Sequence, residues 1–301
     1  MQLLTTYIPE AAQAKPEIIN WRSNYLNQSL YYSCRETRYD RKTYPSRMHY
    51  HDYYELVVFL GGDIHYICES SACQPEYGDV ILIPPHRLHM SAINAASTVY
   101  RRHVFYLYPD ALDAYGCGIL TAFLPLCGSG QYFFALGAAE RDRLCTLLSR
   151  LEDALQSADA KDRALASALI IEVFYILNGI RPRHISAPSR LPQNVLDIQQ
   201  YIDGHFPEIS GVSEIAAHFY YSREYVSRLF RRYFNTTVAE YVMQRRIARS
   251  QVLIAEGMPL SEVCFQVGFG SMTTFIRSFR TLTKMTPGQY RSESRPDQRQ
   301  K

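Results

Sequence analysis

Four side chains able to ligate a metal or to hydrogen-bond a polar ligand fall close together in this sequence. His49, His51 and Glu55 form an HxHxxxE run within "RMHYHDYYELVVFLGG", and His89 follows a glycine and two prolines in "YGDVILIPPHRLHM". Alternate residues of a β-strand share a face, so 49, 51 and 55 are expected on one side. Such a set can hold a divalent metal. It can equally line a polar pocket for a small molecule such as a sugar, or its members can simply satisfy one another. All three readings stand. Six of the nine histidines lie between His49 and His103, which makes this region the place for polar site chemistry. Arg87, Arg101 and Arg102 could bind an anion, although exposed arginines usually have no such role.

A second kind of chemistry is written twice. "SREYVSRLFRRYF" (222–234) returns about 49 residues later as "SMTTFIRSFRTLT" (271–283). Each copy starts with a serine suited to capping a helix. In the first, Val226, Leu229, Phe230 and Tyr233 recur at helical spacing and should face inward, leaving Arg223, Ser227 and Arg231 outside, flanked by Glu224 and Arg228. In the second, Phe275, Phe279 and Leu282 are inner, while Thr273, Ile276, Arg277 and Arg280 are outer. A short helix precedes each copy, with Ser213 the expected cap of the first. A two-helix unit with a tight turn, apolar inside and basic outside, is a helix-turn-helix. From Ser213 to Ser222 is nine residues and from Ser261 to Ser271 ten, so the second turn should hold one more, absorbed by Gly268 and Gly270. Between the units "TVAEYVMQRRIARSQVLIAEG" reads as one helix about 30 Å long. Successive major grooves on one side of B-DNA are about 34 Å apart, so such a strut could serve both.

The elements that must position these residues follow from composition and period. With 301 residues, 47% hydrophobic and 20% charged, the chain should form two soluble globular domains. Its net charge of +3 is uneven: from residue 190 onward 15 Lys and Arg face 10 Asp and Glu, while the remainder holds 17 against 19. A basic C-terminal third suits a polyanion partner. Seven cysteines without a CxxC pair suggest reduced thiols in the cytoplasm. No signal peptide, membrane span, phosphate-binding glycine loop or nucleophile elbow is expected. Residues 1–44 read as an arm with a short helix over 16–28 and a first strand. Short β-branched and aromatic runs over 44–108 predict an all-β sandwich or barrel. From residue 138 the period turns helical, with Leu144, Leu147, Leu148, Leu151 and Leu155 on one face. A second apolar helix follows, and the pair should bury itself against its own barrel or a second subunit. Residues 181–193, rich in proline, read as a linker.

The C-terminal motifs make the resemblance specific. "SEIAAHFYYSREYVSRLFRRYFNTTVAEYVMQRRI" and above all "SEVCFQVGFGSMTTFIRSFRTLTKMTPGQYR" resemble the AraC/XylS family of bacterial transcription regulators, over about residues 194–291. The resemblance places base-reading positions at Glu224, Ser227 and Arg228 in the first unit, and at Met272, Thr273, Ile276 and Arg277 in the second. For Ile276 a place in the core is the alternative. Arg223, Arg231, Arg232 and Arg280 are assigned to phosphate, with Ser222 and Ser271 capping helix ends that can also hold phosphates. Asn235, Lys284 and Tyr220 depart from the family by standing where glycine is usual. The histidine-bearing segments resemble the cupin-like sensor domain of many such regulators. His49, His51, Glu55 and His89 stand where catalytic cupins place a metal.

The implied fold is a multidomain α+β chain: an N-terminal cupin-like β-barrel with flanking helices, then an all-α domain of two helix-turn-helix units joined by a long linker helix. The expected divisions are 1–137 for the arm and sensing domain, 138–180 for the helical pair, 181–193 for the linker, 194–294 for the DNA-binding domain and 295–301 for a tail. The units within it are expected near 212–234 and 260–283. The expected function is a regulator, activating or repressing, that binds promoter DNA as a cytoplasmic homodimer under control of a small-molecule effector and works with RNA polymerase. No cofactor, no bound metal and no membrane partner are expected, with the four barrel residues as the effector pocket. A metal-dependent cupin enzyme is the alternative.

Overall fold

A computed structural model describes residues 17–27, 29–40, 48–69, 71–93, 97–157, 159–183 and 191–294. Its first strands are β1 (Glu17–Asn27) and β2 (Leu30–Asp40), followed by β3 (Tyr54–Gly61), β4 (Ile64–Cys68) and β5 (Ser71–Cys73). Then come β6 (Val80–Ile83), β7 (His89–Ile93), β8 (Ser97–Leu107) and, after three short 3-10 turns, β9 (Phe133–Ala135). They form a seven-stranded sheet, ordered β1-β2-β8-β3-β6-β9 and closed by a two-residue strand β10 (Arg181–Pro182), which faces a three-stranded sheet ordered β5-β4-β7. The helix expected over 16–28 is instead strand β1, paired antiparallel with β2 from Glu17↔Arg38 to Asn27↔Leu30. Sheet pairing here overrides a local helical reading. The expected tail at 295–301 lies outside the described residues.

Helices α1 (Ala138–Gln156) and α2 (Ala160–Leu177) cover one face of the larger sheet. Leu144, Leu147, Leu148 and Leu151 share a core with Ile170, Phe174, Leu30, Tyr32, Leu56 and Phe105. That settles where the leucine stripe goes: onto its own barrel. Strand β3 is buried from Glu55 to Phe59 because Leu56 and Val58 meet these helices while Val57 and Phe59 line the space between the sheets. A strand covered on both faces loses the apolar–polar alternation.

The linker begins as β10, paired with β9, and ends at α3 (Gln193–His205). The helices after it are α4 (Val212–His218), α5 (Arg223–Phe234), α6 (Val238–Ala255), α7 (Leu260–Gln266), α8 (Met272–Thr283) and α9 (Pro287–Ser294). Both short helices have seven residues and both longer ones twelve, so the sequence repeat is a structural repeat. The caps of the longer pair are as expected: Ser222 Oγ accepts from Tyr225 N at 3.1 Å, and Ser271 Oγ from Thr274 N at 3.3 Å. Ser213 does not cap α4. Gly211 holds that position, and Glu214 folds back to accept from Ser210 N at 2.9 Å. The strut α6 has 18 residues, about 27 Å at the helical rise, and opens with a Thr237–Glu240 capping box.

The two turns differ by the one residue anticipated. Gly268 has φ +88°, and a Cβ there would stand 2.1 Å from Pro207 O, so both backbone angle and close approach require glycine. Tyr220, its counterpart, takes φ +57° and is 97% exposed. Asn235 and Lys284 also adopt left-handed backbone, ending α5 and α8 as glycines would.

Candidate DNA-binding surface and sensing pocket

Helices α5 and α8 each bury one face and present the other to solvent. Val226, Leu229, Phe230 and Phe234 are buried in the first, and Phe275, Phe279 and Leu282 in the second. Tyr233, expected inside, is half-buried, and Phe234 does the inner packing. Glu224, Arg228, Arg223, Arg231 and Arg232 are exposed, with Ser227 half-buried beside them. On α8, Thr273, Arg277 and Arg280 are exposed, and Ile276 is 40% exposed, which removes the core alternative for it. Met272 is half-buried and packs against the helical core. Arg228 lies over the Tyr225 ring, 5.5 Å from its centroid, which holds the guanidinium up on the outer face. Basic charge here is not all for a partner. Arg246 donates to the carbonyls of Phe206 and Ile209 at 3.0 and 2.8 Å, and Arg291 to that of Met258 at 2.6 Å.

In the barrel the histidines and Glu55 do converge, though not along one strand. His49 forms an isolated bridge with His89, the chain bends at 52–53, and Glu55 lies in β3. The bend takes the place of strict alternation. Glu55 Oε2 stands 3.0 Å from both His51 Nε2 and His89 Nε2. The other ring nitrogens are held by main-chain carbonyls: His51 Nδ1 meets Tyr53 O at 2.8 Å and His89 Nδ1 meets Arg87 O at 2.9 Å. A carbonyl can only accept, so Nδ1 donates in each ring; Nε2 is turned to Glu55, which as a carboxylate also only accepts, so each Nε2 donates to it. Burial raises the Glu55 pKa, but hydrogen bonds and charge from the two imidazoles outweigh it and hold the carboxyl well below its ordinary range. His49, Glu55 and His89 offer ligand atoms within 4.8 Å of one another, a donor set that fits a divalent transition metal.

The barrel abuts the helical half, which sequence reasoning did not anticipate. Met48, Tyr50, Ile67, Leu88 and Met90 of the barrel share one core with Ile198, Tyr241, Ala248 and other helical residues. At its edge Glu69 accepts from Arg87 at 3.1 Å and from Tyr132 at 2.6 Å, and pairs with Arg245 of α6. Arg245 Nε in turn lies 3.0 Å from Asp203 Oδ1, which accepts from Tyr241 at 2.9 Å. Burial raises the Glu69 pKa, yet Arg245 and Arg87 leave it lowered on balance. Asp203 is pushed up to about 6, chiefly by burial. His86 sits beside Gln251 of α6, and burial drives its pKa down to about 4. One signal for this interface was available in the sequence. Arg245 shares a helical face with Tyr241, Ala248 and the buried Gln244, an odd place for an arginine that only meets water.

The sequence matches known proteins over both halves. An AraC-like ligand binding domain family model matches residues 29–174, and a helix-turn-helix domain model matches 215–293. Regulatory protein SoxS of Escherichia coli is 31% identical over 98 residues, which cover 32% of this chain and 92% of that protein. The arabinose operon regulatory protein of Salmonella typhimurium is 24% identical over 226 residues, covering 74% of this chain and 77% of that one. An uncharacterized HTH-type transcriptional regulator of Bacillus subtilis is 24% identical, over 81% of this chain and 85% of its own length.

Proposed function

The chain belongs to the AraC/XylS family of transcription regulators, and from that premise we propose how its residues divide sensing from DNA binding. It is a ligand-responsive regulator with an N-terminal ligand-binding domain and a helix-turn-helix DNA-binding domain. The reading as a metal-dependent cupin enzyme falls, because the relatives are transcription regulators and not enzymes.

Helices α5 and α8 enter successive major grooves of promoter DNA. Arg228 and Arg277 read guanine, Glu224 accepts from cytosine, and Thr273 and Ile276 meet thymine methyls, with Ser227 and Met272 completing the two reading faces. Arg223, Arg231, Arg232 and Arg280 hold phosphates, together with the helix ends capped by Ser222 and Ser271. Residues 1–137 sense the effector, with His49, His51, Glu55 and His89 in its pocket, and 138–180 brace the barrel. Residues 181–193 connect it to the DNA-binding domain at 194–294. The protein acts in the cytoplasm as a homodimer that contacts RNA polymerase. Among the described residues no helix is long and apolar enough to cross a membrane. A second copy would meet the outer side of α2, where Leu165 and Tyr175 are exposed, since the leucine stripe of α1 is already covered.

One observation carries the DNA reading. Two twelve-residue helices, one before and one after the strut α6 in the chain, each bury an apolar face and leave a face bearing arginines exposed. Footprinting the full-length protein on its own upstream region tests it, with and without candidate small molecules. Two protected patches one helical turn apart, weakening steeply with salt, are expected. Protection confined to a single patch would refute the two-groove reading.

A further inference from the structure

The inner face of the barrel carries a buried guanidinium that no carboxylate among the described residues pairs with. Arg102 of β8 is 8% exposed, and among the described residues no carboxylate lies within ion-pair reach of it. Its guanidinium donates to Tyr100 O at 3.4 Å and to Tyr39 Oη at 3.3 Å, both long, and lies 4.0 Å from the centre of the Tyr100 ring. Across β2 and β8 its register partner is Arg35, so a second guanidinium stands beside it on the same face. Arg35 donates to Ser33 Oγ at 2.9 Å and stands over Tyr106, 5.6 Å from the ring centre. Glu55 lies on the same face by register, but its Oε2 is already shared by His51 and His89. The Tyr100 hydroxyl is buried without a well-oriented hydrogen-bond partner among the described residues. By contrast Arg101, one residue away, points outward to Glu36 at 3.5 Å, and Arg87 is held by Glu69. Of the three arginines considered for an anion from sequence, only Arg102 is placed inside.

A buried guanidinium is tolerated when a carboxylate or a ligand compensates it. Around Arg102 the described residues supply aromatic faces and neutral acceptors instead. We infer that the barrel interior takes a small organic anion, its acid group against Arg102 with Arg35 adjacent and its body between the tyrosine rings. This rests on the reading of the barrel as the sensing domain and narrows its effector from polar small molecules to acids.

The test uses the full-length protein, thermal unfolding and calorimetry. Benzoate and galacturonate are compared with their neutral counterparts, benzamide and galactose, and inorganic phosphate is run at matched ionic strength to separate carboxylate from phosphate recognition. At least one acid should raise Tm while its neutral counterpart does not. Arg102→Met should weaken that acid by about tenfold to a hundredfold, as loss of a charge-assisted hydrogen bond implies. The unliganded Arg102→Met protein should melt no lower than wild type, because the variant removes an uncompensated charge. A marked fall in its Tm would show a structural arginine and overturn the inference. Binding of galactose, unaffected by Arg102→Met, would overturn it too while leaving the sensor reading intact. If no compound shifts Tm or changes promoter affinity, both fail.

Discussion

Glu69→Gln and Arg245→Met, made singly and together, test whether the barrel and the strut are held as one body. Arg245 lies between carboxylates from different parts of the chain, Asp203 of α3 and Glu69 of the β4–β5 turn. The three side chains are 11%, 13% and 14% exposed, so water reaches each of them slightly. Breaking a fully buried pair typically costs about 3–5 kcal/mol, and this exposure lowers the expectation. Protonation sets a ceiling. Without Arg245, Asp203 keeps the Tyr241 hydroxyl but loses its cation, and its carboxyl, already at about 6, would take up a proton near neutral pH. Protonating an aspartate at pH 7 costs at most about 4 kcal/mol, at ~1.36 kcal/mol for each unit above its ordinary pKa. We therefore expect about 2–3 kcal/mol for Arg245→Met and about 1–2 kcal/mol for Glu69→Gln, which leaves Arg87 less compensated. The double variant should fall short of their sum by about 1–2 kcal/mol. Urea unfolding of the full chain, followed by circular dichroism, gives each value. A coupling within about 0.5 kcal/mol of zero would mean that Glu69 and Arg245 act independently, and the ionic docking argument would be wrong.

Three further outcomes follow from particular residues. Arg228→Ala and Arg277→Ala should each weaken promoter binding by about 1–3 kcal/mol and relax discrimination at one base pair, measured by fluorescence anisotropy on a set of single-base operator variants. Wild-type binding by both would remove the assignment of α5 and α8. Gly268→Ala should destabilise the helical half by about 2 kcal/mol or more, since it combines an unfavourable φ with a clash at Pro207 O; an unchanged melting curve would contradict the turn geometry. Acid should destabilise the barrel through His103 and His86, both lowered to about 4 by burial. A folded pKa below the unfolded value means that the unfolded chain takes the proton first. The stability is thus present above about pH 6.5 and is lost as pH falls toward 4, by up to about 3 kcal/mol per group. Asp203, raised to about 6, works in the opposite sense over much of that window, and two histidines outweigh it. His103→Gln should flatten the dependence of Tm on pH between 7 and 5, and an unaltered slope would rule out that histidine.

Legibility followed the range of the interactions. The helix-turn-helix pair could be read because caps, helical period and turn length are local, and serine, phenylalanine and arginine recur within each thirteen-residue stretch. The convergence of His51, His89 and Glu55 was readable from residue type, whereas the bend at 52–53 that achieves it was not. Strand β1 was mistaken for a helix because its structure depends on β2, and side-chain pattern alone does not announce a partner. The interface was the least accessible. Glu69 and Arg245 are 176 residues apart; Glu69 looks like an ordinary surface charge, and only the apolar neighbours of Arg245 on its helical face hint that the fold removes most of its water.

That interface also gives the two activities a physical connection. The His89 ring, one of two on Glu55, is oriented by the carbonyl of Arg87. The Arg87 side chain grips Glu69, and Glu69 grips Arg245 in the strut between the two helix-turn-helix units. Each step is a direct contact, and Glu69 is shared among Arg87, Tyr132 and Arg245. In our reading, a ligand that repositions the His89 imidazole acts on a residue two positions from one of the two cations holding Glu69. The strut is one continuous helix of 18 residues between the two units, so in this reading a change at Arg245 bears on both recognition helices rather than one alone. An effector acting through this contact should therefore change the grip on both half-sites in the same direction.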